Sequence, residues 1–174
     1  MEDRQQGVTV LELLLAMMVA AILATVAIPA WESASAYGRG AAEMNRFAAD
    51  LAYARSAAIA RGHVVALCTS RDGHECSTSP WDDGWIVYVD SDHDHVREAG
   101  ETLLREEDGF GNADSLRGNR LVAHRLAFRR DGLPQGLHDG TVTFTPHPDR
   151  PALHRCLIIA RTGRVRSTRG KDCP

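Results

Sequence analysis

Several features of common enzyme and metalloprotein classes are missing from this sequence of 174 residues. The eight histidines are scattered, and no serine or cysteine lies in a recognisable nucleophile motif, so we do not expect an enzyme. The four cysteines include no pair with CxxC-like spacing, which argues against an ordinary zinc site. Internal repeats and low-complexity linkers are also absent. The length leaves room for one domain and, at most, one long helix.

The net charge is small, −3 at neutral pH, but it is unevenly distributed along the chain. Residues 151–174 carry six basic side chains and one acid, a net charge of +5, which leaves −8 on residues 1–150. A basic tail on an acidic body indicates a polyanionic partner. The alternative is a solvated charged terminus without a partner.

The even number of cysteines fits two disulfides in an oxidising compartment. Four cysteines allow three pairings, and the sequence alone leaves all of them open. We favour Cys68–Cys76 and Cys156–Cys173, because each of these pairs closes a short loop of turn-rich sequence.

A long apolar run extends from Val8 to Ile28 and contains one charged residue, Glu12, among its 21 residues. As a helix this run is long enough to cross about 30 Å of hydrocarbon. A secretory signal peptide has a shorter apolar region, about 7–15 residues, followed by a small-residue cleavage site. The sequence therefore predicts a polar leader at 1–7 and a transmembrane helix at 8–29.

The junction between leader and apolar run reads GVTVLE at residues 7–12 and resembles the type IV prepilin cleavage motif. In that family a membrane peptidase cuts after the glycine and methylates the new N-terminus. The resemblance implies that Gly7 is the last leader residue and Val8 the mature N-terminus. Two features depart from the family pattern: the first mature residue is usually phenylalanine, and the leader is usually more basic.

Glu12 is the fifth residue of the mature chain under this interpretation. A lone carboxylate inside a membrane helix costs about 2.5–3.5 kcal/mol on insertion scales, so such residues normally have a partner or a function. The resemblance implies that Glu12 pairs with the free N-terminal amine of a neighbouring subunit during assembly. The alternative is a protonated side chain that reaches the membrane interface.

Apolar residues at helical spacing follow the membrane segment and predict an amphipathic continuation of the helix over 30–62. Arg61 and Gly62 are a plausible end, with a cation in the last turn and a glycine after it. We expect the apolar stripe to pack against a sheet. Its members are Tyr37, Met44, Phe47, Leu51, Ala54 and Ala58.

After Gly62 the pattern changes to short strands separated by turn signals, among them Asp139-Gly140 and a tight hairpin at Thr162-Gly163. This order predicts an α+β fold: a long N-terminal α-helix, transmembrane in its first half, packed on a small antiparallel β-sheet domain at 63–174. The candidate strands are His63–Thr69, Gly84–Asp90, Thr102–Arg105, Leu121–Arg129, Thr141–Thr145, Arg155–Ala160 and Arg164–Thr168.

Three segments of the β-rich region resemble the FimT/GspH family of minor pilins and pseudopilins: residues 67–76, 81–90 and 156–166. The first segment contains LCTS and Cys76, and the second reads WDDGWIVYVD. We expect Trp81 and Trp85 to pack in the core or in a loop rather than to form a ligand platform. The resemblance implies a type IV pilin-like protein in the bacterial inner membrane, single-pass, with a periplasmic C-terminal domain. The implied partners are other minor and major pilins and the prepilin peptidase, and the implied destination is the pilus or pseudopilus.

The basic tail has five cations within residues 161–171. If residues 163–167 are extended, Arg164 and Arg166 share one face about 7 Å apart, and their planar guanidinium groups can each bind two phosphate oxygens. The tail contains no aromatic residue, so base stacking of the single-strand type is not expected.

Gly163-Arg164-Val165-Arg166 resembles the Gly-Arg-x-Arg DNA-binding element of FimT-type minor pilins, which aid DNA uptake in natural transformation. The resemblance implies that Arg164 and Arg166 contact DNA phosphates, with Gly163 allowing close approach. Charge and proximity add Arg161, Arg169 and Lys171 as auxiliary contacts. Such binding is expected to be independent of sequence and sensitive to salt. The alternative is a structural minor pilin or type II secretion pseudopilin that primes filament assembly without binding DNA.

An acidic segment at 90–101 has the oxygen-ligand spacing of a calcium loop. Acids stand at positions one, three, five, nine and twelve, and Val96 supplies the carbonyl at position seven. Position six is His95 instead of the usual glycine, and no helix is predicted before the loop. The alternatives are an acidic connection between strands and a transition-metal site at His93 and His95. The candidate calcium ligands are Asp90, Asp92, Asp94 and Glu101; no other cofactor is expected.

Overall fold

One long helix and eight strands make up the part of the chain that this computed structural model describes, residues 9–136 and 139–174. The helix, α1, covers Val10–Arg61 and contains Pro29. The strands are β1 Val64–Thr69, β2 Gly84–Asp90, β3 Leu103–Asp108, β4 Ser115–Gly118, β5 Arg125–Phe128, β6 Asp139–Thr145, β7 Arg155–Ala160 and β8 Val165–Arg169. Short 3₁₀ helices cover Trp81–Asp83, Pro151–Leu153 and Gly170–Asp172.

Both ends of α1 carry local capping interactions. At the start, the Thr9 hydroxyl accepts a hydrogen bond from the Glu12 N–H at 3.3 Å, the usual role of a threonine before a helix. At the end, Gly62 adopts φ +68° and its N–H donates to the Ala58 carbonyl at 3.0 Å. The predicted helix end at Arg61-Gly62 is confirmed. The predicted cleavage residues Gly7 and Val8 lie outside the described residues.

The chain divides into two compact units between Tyr37 and Gly38. In the first unit the side chains of α1 are largely exposed, Leu14 and Ile22 among them. An 18-residue window of α1 has a mean hydropathy of 2.5, so the helix is long and apolar enough to cross a membrane. This criterion uses only length and composition, and a signal sequence meets it as well.

The second unit contains two antiparallel sheets of four strands each. The first has the order β3-β2-β1-β5, and the second has the order β4-β6-β7-β8. Every pair of neighbouring strands is antiparallel, and β8 lies at an edge of the second sheet. The predicted α+β fold, a long helix packed on a small antiparallel β-sheet domain, is confirmed, and the domain consists of two sheets.

The core lies between α1 and the sheets. Met44, Phe47 and Leu51 on α1 are buried, as the helical stripe predicted, and Trp81 and Trp85 are fully buried against them. The Phe47 ring contacts the two indoles edge-on, with centroid distances of 5.0 Å and 5.2 Å, the arrangement that aromatic rings prefer. Tyr37 was wrongly placed in the stripe, since it is 45% exposed.

Three strand predictions were wrong by more than one residue at an end, and one of them, Thr102–Arg105, is observed as β3 Leu103–Asp108. The predicted strand Leu121–Arg129 is reduced to Arg125–Phe128, because Asn119 forms a turn before it: its carbonyl accepts from the Val122 N–H and its side chain accepts from the Leu121 N–H. Asp139-Gly140, predicted as a turn, belongs to β6. The structure also adds β4, a four-residue strand whose polar sequence shows no clear alternation.

Asp50 connects α1 to the first sheet. Its carboxylate is 1% exposed and accepts hydrogen bonds from Trp85 Nε1 at 2.9 Å and from Arg105 Nη1 at 2.6 Å. The Arg105 guanidinium in turn lies 3.8 Å from the centroid of the Tyr53 ring. The pKa of Arg105 is raised, chiefly by the hydrogen bond to Asp50. A buried acid on the helix is thus fully paired with groups on the sheet.

Candidate nucleic-acid interface

The Gly-Arg-x-Arg element begins in a tight turn between β7 and β8, Ala160–Arg164. The Gly163 N–H donates to the Ala160 carbonyl at 2.8 Å, and the Ala160 N–H donates to the Arg164 carbonyl at 2.9 Å. Gly163 has φ +74°, which glycine adopts without steric cost. A Cβ atom at this position would lie 2.9 Å from the Gly132 carbonyl oxygen, closer than real Cβ contacts. The predicted Thr162-Gly163 hairpin is confirmed.

Arg55 on α1 holds this turn in place. Its Nη1 donates a hydrogen bond to the Gly163 carbonyl at 2.9 Å, in a partly buried position. The contact joins residues 108 positions apart in the sequence. No local pattern in the sequence could have identified this contact.

Arg164 and Arg166 are both exposed and stand on either side of Val165. Val165 is partly buried and packs against the main core, so the two arginines face away from it. Within the described residues, neither guanidinium forms an ion pair or a hydrogen bond. Their positive charges are therefore not neutralised inside the described part of the domain.

The auxiliary cations are distributed along the same end of the chain. Arg161 lies in the turn, Arg169 is the last residue of β8, and Lys171 lies in the 3₁₀ helix that follows. All three side chains are exposed. Arg161 and Lys171 also form no ion pair among the residues that the structure describes.

A disulfide and backbone hydrogen bonds fix the segment after β8. Cys156 and Cys173 are joined, with Cα atoms 5.6 Å apart, and the Gly170 N–H donates to the His154 carbonyl at 2.9 Å. The second disulfide joins Cys68 and Cys76. Both pairings are the ones favoured from the sequence. The basic tail is consequently held at both ends of β8 rather than left as a free terminus.

The acidic loop forms a compact cluster after β2. Single carboxylate oxygens of Asp90, Asp92 and Asp94 all lie within 4.8 Å of one another. Asp90 is fully buried, whereas Asp92 and Asp94 are exposed. His95 adopts φ +63°, so the sharp turn expected at position six is made without glycine. Burial and the nearby carboxylates, Asp90 first, raise the pKa of the Tyr88 hydroxyl.

Glu101 points back to the same loop. Its carboxylate accepts hydrogen bonds from the Ser91 N–H at 2.6 Å and from the Glu98 N–H at 3.2 Å. His95 Nδ1 lies 3.1 Å from Asp90 Oδ2. The candidate calcium ligands are thus close in space. Backbone N–H groups already contact Glu101, and the His95 imidazole already contacts Asp90. Calcium binding stays a prediction.

A long N-terminal helix packed on antiparallel sheets is the arrangement of type IV pilin-like proteins. Among solved structures, the type IV minor pilin FimU of Pseudomonas aeruginosa is similar, with a TM-score of 0.63 and 20% identity over 79% of this chain and 93% of that one. The minor pseudopilin EpsH from the type 2 secretion system of Vibrio cholerae has a TM-score of 0.52 and 11% identity, over 75% of this chain and 96% of that one. At these identities the likeness shows the fold.

Two family models match the sequence. The model for "Type II transport protein GspH" matches residues 43–163, more than two thirds of the chain, and the model for "Prokaryotic N-terminal methylation motif" matches residues 3–28. None of the curated proteins matches. The chain therefore belongs to the GspH family and has the fold of type IV pilin-like proteins.

Proposed function

We propose that this protein is a minor type IV pilin that binds DNA without sequence specificity through Gly163–Arg166 and aids DNA uptake in natural transformation. The observation that carries the proposal is the pair of exposed guanidinium groups of Arg164 and Arg166 beside Val165, neither of which has an ion pair within residues 9–136 and 139–174. Each guanidinium can bind two oxygens of a phosphate. Because Arg164 and Arg166 lie on the same face of the strand, they can bind successive phosphates of one DNA backbone.

The rigidity of the segment strengthens this proposal. Arg55 holds the turn, β7 pairs with β8, and the Cys156–Cys173 disulfide closes the C-terminal end. Ordering a segment on binding costs free energy, and a segment that is ordered beforehand avoids much of that cost. Contacts to phosphates carry no direct sequence information, so duplexes of different sequence should bind alike.

The binding experiment uses the full chain in a nonionic detergent and short fluorescein-labelled duplexes of unrelated sequence. We expect fluorescence anisotropy to report similar affinities for all duplexes. The logarithm of the association constant should fall linearly with the logarithm of salt concentration, with a slope of about −0.9 per neutralised phosphate. Absence of binding at low salt would contradict the proposal.

The second candidate is a structural minor pilin or type II secretion pseudopilin that primes filament assembly. The description of the matching family model and the EpsH likeness favour it. In that case the basic tail would contact an acidic surface of a neighbouring pilin. Such a protein would leave labelled duplexes unbound and would still be required for filament formation.

For the N-terminus we propose cleavage after Gly7 by a prepilin peptidase, methylation of Val8, and pairing of Glu12 with the amine of a neighbouring subunit. The segment would anchor the protein in the bacterial inner membrane, with the C-terminal domain in the periplasm. The match to the methylation motif over residues 3–28 supports this. The intact mass of protein extracted from membranes should lack residues 1–7 and carry one methyl group, and a full-length mass would oppose the assignment.

For the acidic loop we predict calcium binding by Asp90, Asp92, Asp94 and Glu101. Calcium should raise the melting temperature (Tm) of the full chain, because a ligand that binds only the folded state stabilises it. An Asp92→Asn/Asp94→Asn variant should lose this rise, and magnesium, which prefers a different geometry, should produce a smaller one. A Tm that calcium leaves unchanged would rule out the site.

A further inference from the structure

A second turn of the same geometry lies near β5. In the Arg129–Leu133 turn the Gly132 N–H donates to the Arg129 carbonyl at 2.7 Å, and the Arg129 N–H donates to the Leu133 carbonyl at 2.9 Å. Gly132 has φ +76°. The Ala160–Arg164 turn has the same two hydrogen bonds and a glycine of similar φ at the same position. Arg130 in one turn therefore corresponds to Arg161 in the other.

The two turns pack directly against each other. A Cβ atom on Gly163 would lie 2.9 Å from the Gly132 carbonyl oxygen, so the two glycines meet with no space for a side chain. Arg55 lies next to both: its guanidinium atoms are 3.1 Å from the Cβ position of Gly163 and 3.2 Å from that of Gly132. The packing joins the Gly-Arg-x-Arg element to the Arg129–Leu133 turn.

The two arginines of the second turn differ in their partners. Arg129 forms an ion pair with Asp131, whose pKa is lowered by the Leu133 N–H and by Arg129 itself. Arg130 is exposed and forms no hydrogen bond or ion pair with the residues that the structure describes. Within this turn, Arg130 is the cation whose charge stays available to a ligand.

The Arg129–Leu133 turn also forms one wall of an open groove of about 920 Å³. The groove is lined by Arg129 and Arg130 on this wall and by His63 and His93 elsewhere. Ser91, in the acidic loop after β2, also lines it. Asp131 of the same turn lines the groove as well, and its carboxylate is paired with Arg129.

We propose that the DNA-binding surface extends from Arg164 across the two packed turns to Arg130, which binds a further backbone phosphate. This inference rests on the proposed function of the Gly-Arg-x-Arg element. The site comes from chain segments that are distant in sequence, because Gly132 and Gly163 bring their turns together. Binding remains a contact to the phosphate backbone, which any duplex offers.

The experiment compares Arg130→Gln with the wild type in the full chain, using labelled duplex DNA and a salt series. Loss of one phosphate contact should reduce the steepness of the salt dependence by about 0.9. The same relation gives a loss of affinity of roughly eightfold at about 0.1 M salt. Arg130→Lys should restore most of the binding, because it returns the charge.

Arg71→Gln is the matched control. It removes the same charge from another exposed arginine. His63, which lines the groove, precedes β1, whereas Arg71 follows it, and the strand is about 17 Å long. We expect Arg71→Gln to bind as the wild type. An equal loss in Arg71→Gln would show a general effect of net charge and would overturn the inference.

The remaining outcomes separate this inference from the proposed function. If Arg130→Gln binds with wild-type affinity and salt slope while removal of Arg164 and Arg166 abolishes binding, the extension to Arg130 is overturned and the proposed function stands. If the wild type binds no DNA at low salt, both are overturned. A Tm for Arg130→Gln equal to that of the wild type is expected, since the side chain is exposed and contacts no described partner.

Discussion

An Arg164→Gln/Arg166→Gln variant should lose DNA binding at moderate salt while its fold stays intact. Removing two phosphate contacts should reduce the steepness of the salt dependence by about 1.8 and weaken binding roughly sixtyfold at about 0.1 M salt. The fold should survive because both side chains are exposed and have no partners among the described residues, and substitutions of this kind change stability by less than about 0.5 kcal/mol.

The matched control is Arg71→Gln/Arg117→Gln, which removes the same total charge. Arg71 and Arg117 pair with Asp83 and Asp82, so both belong to the surface near the Trp81–Asp83 turn rather than to the basic tail. Anisotropy measures binding, and Tm reports on folding. If the Arg164→Gln/Arg166→Gln variant binds DNA with the affinity and salt slope of the wild type, the proposed DNA-binding function is refuted. The structural minor pilin or pseudopilin is then favoured.

Asp50→Ala should have the largest effect on stability, lowering the free energy of unfolding by about 2 kcal/mol. The fully buried Trp85 indole N–H would lose its acceptor, and an unsatisfied buried donor costs about 1–3 kcal/mol. The loss should stay below the value for a fully buried ion pair, about 3–5 kcal/mol, because the Arg105 side chain is 40% exposed and water can solvate it.

Urea unfolding of the full chain, followed by tryptophan fluorescence, measures this loss. Asp50→Asn should lie between the wild type and Asp50→Ala, since the amide oxygen can still accept from Trp85 but carries no charge for Arg105. Asp83→Ala, which breaks a solvent-exposed pair with Arg71, should cost under about 1 kcal/mol. Equal losses in Asp50→Ala and Asp83→Ala would contradict the importance of the buried contact.

The two predictions concern different parts of the same domain that are connected through α1. Asp50 ties α1 to the first sheet, and Arg55, further along the helix, holds the turn that begins the basic element. A destabilised helix would therefore disturb the position of Gly163 as well. DNA-binding measurements on Asp50 variants need to be made below their unfolding midpoints, where the interface is still formed.

Local patterns in the sequence determined much of the fold. The apolar residues at helical spacing predicted the helix, and Arg61-Gly62 predicted its end. Two strands, Gly84–Asp90 and Arg155–Ala160, have the bounds that the sequence indicated. Each of these elements is long and apolar enough for its own residues to determine its conformation. The basic residues of the tail were likewise visible in the sequence, because five of them lie within residues 161–171.

Only the tertiary structure decided the remaining features. The polar strand β4 and the shortened β5 gain their backbone partners from β6 and β1, so their own residues carry little signal. The contact of Arg55 with Gly163 and the packing of Gly132 on Gly163 join segments far apart in the chain. The spacing of residues along the sequence carries no information about contacts between such distant segments. They are determined by how the helix and the two sheets pack, and for this reason Arg130 enters the candidate interface only in the folded protein.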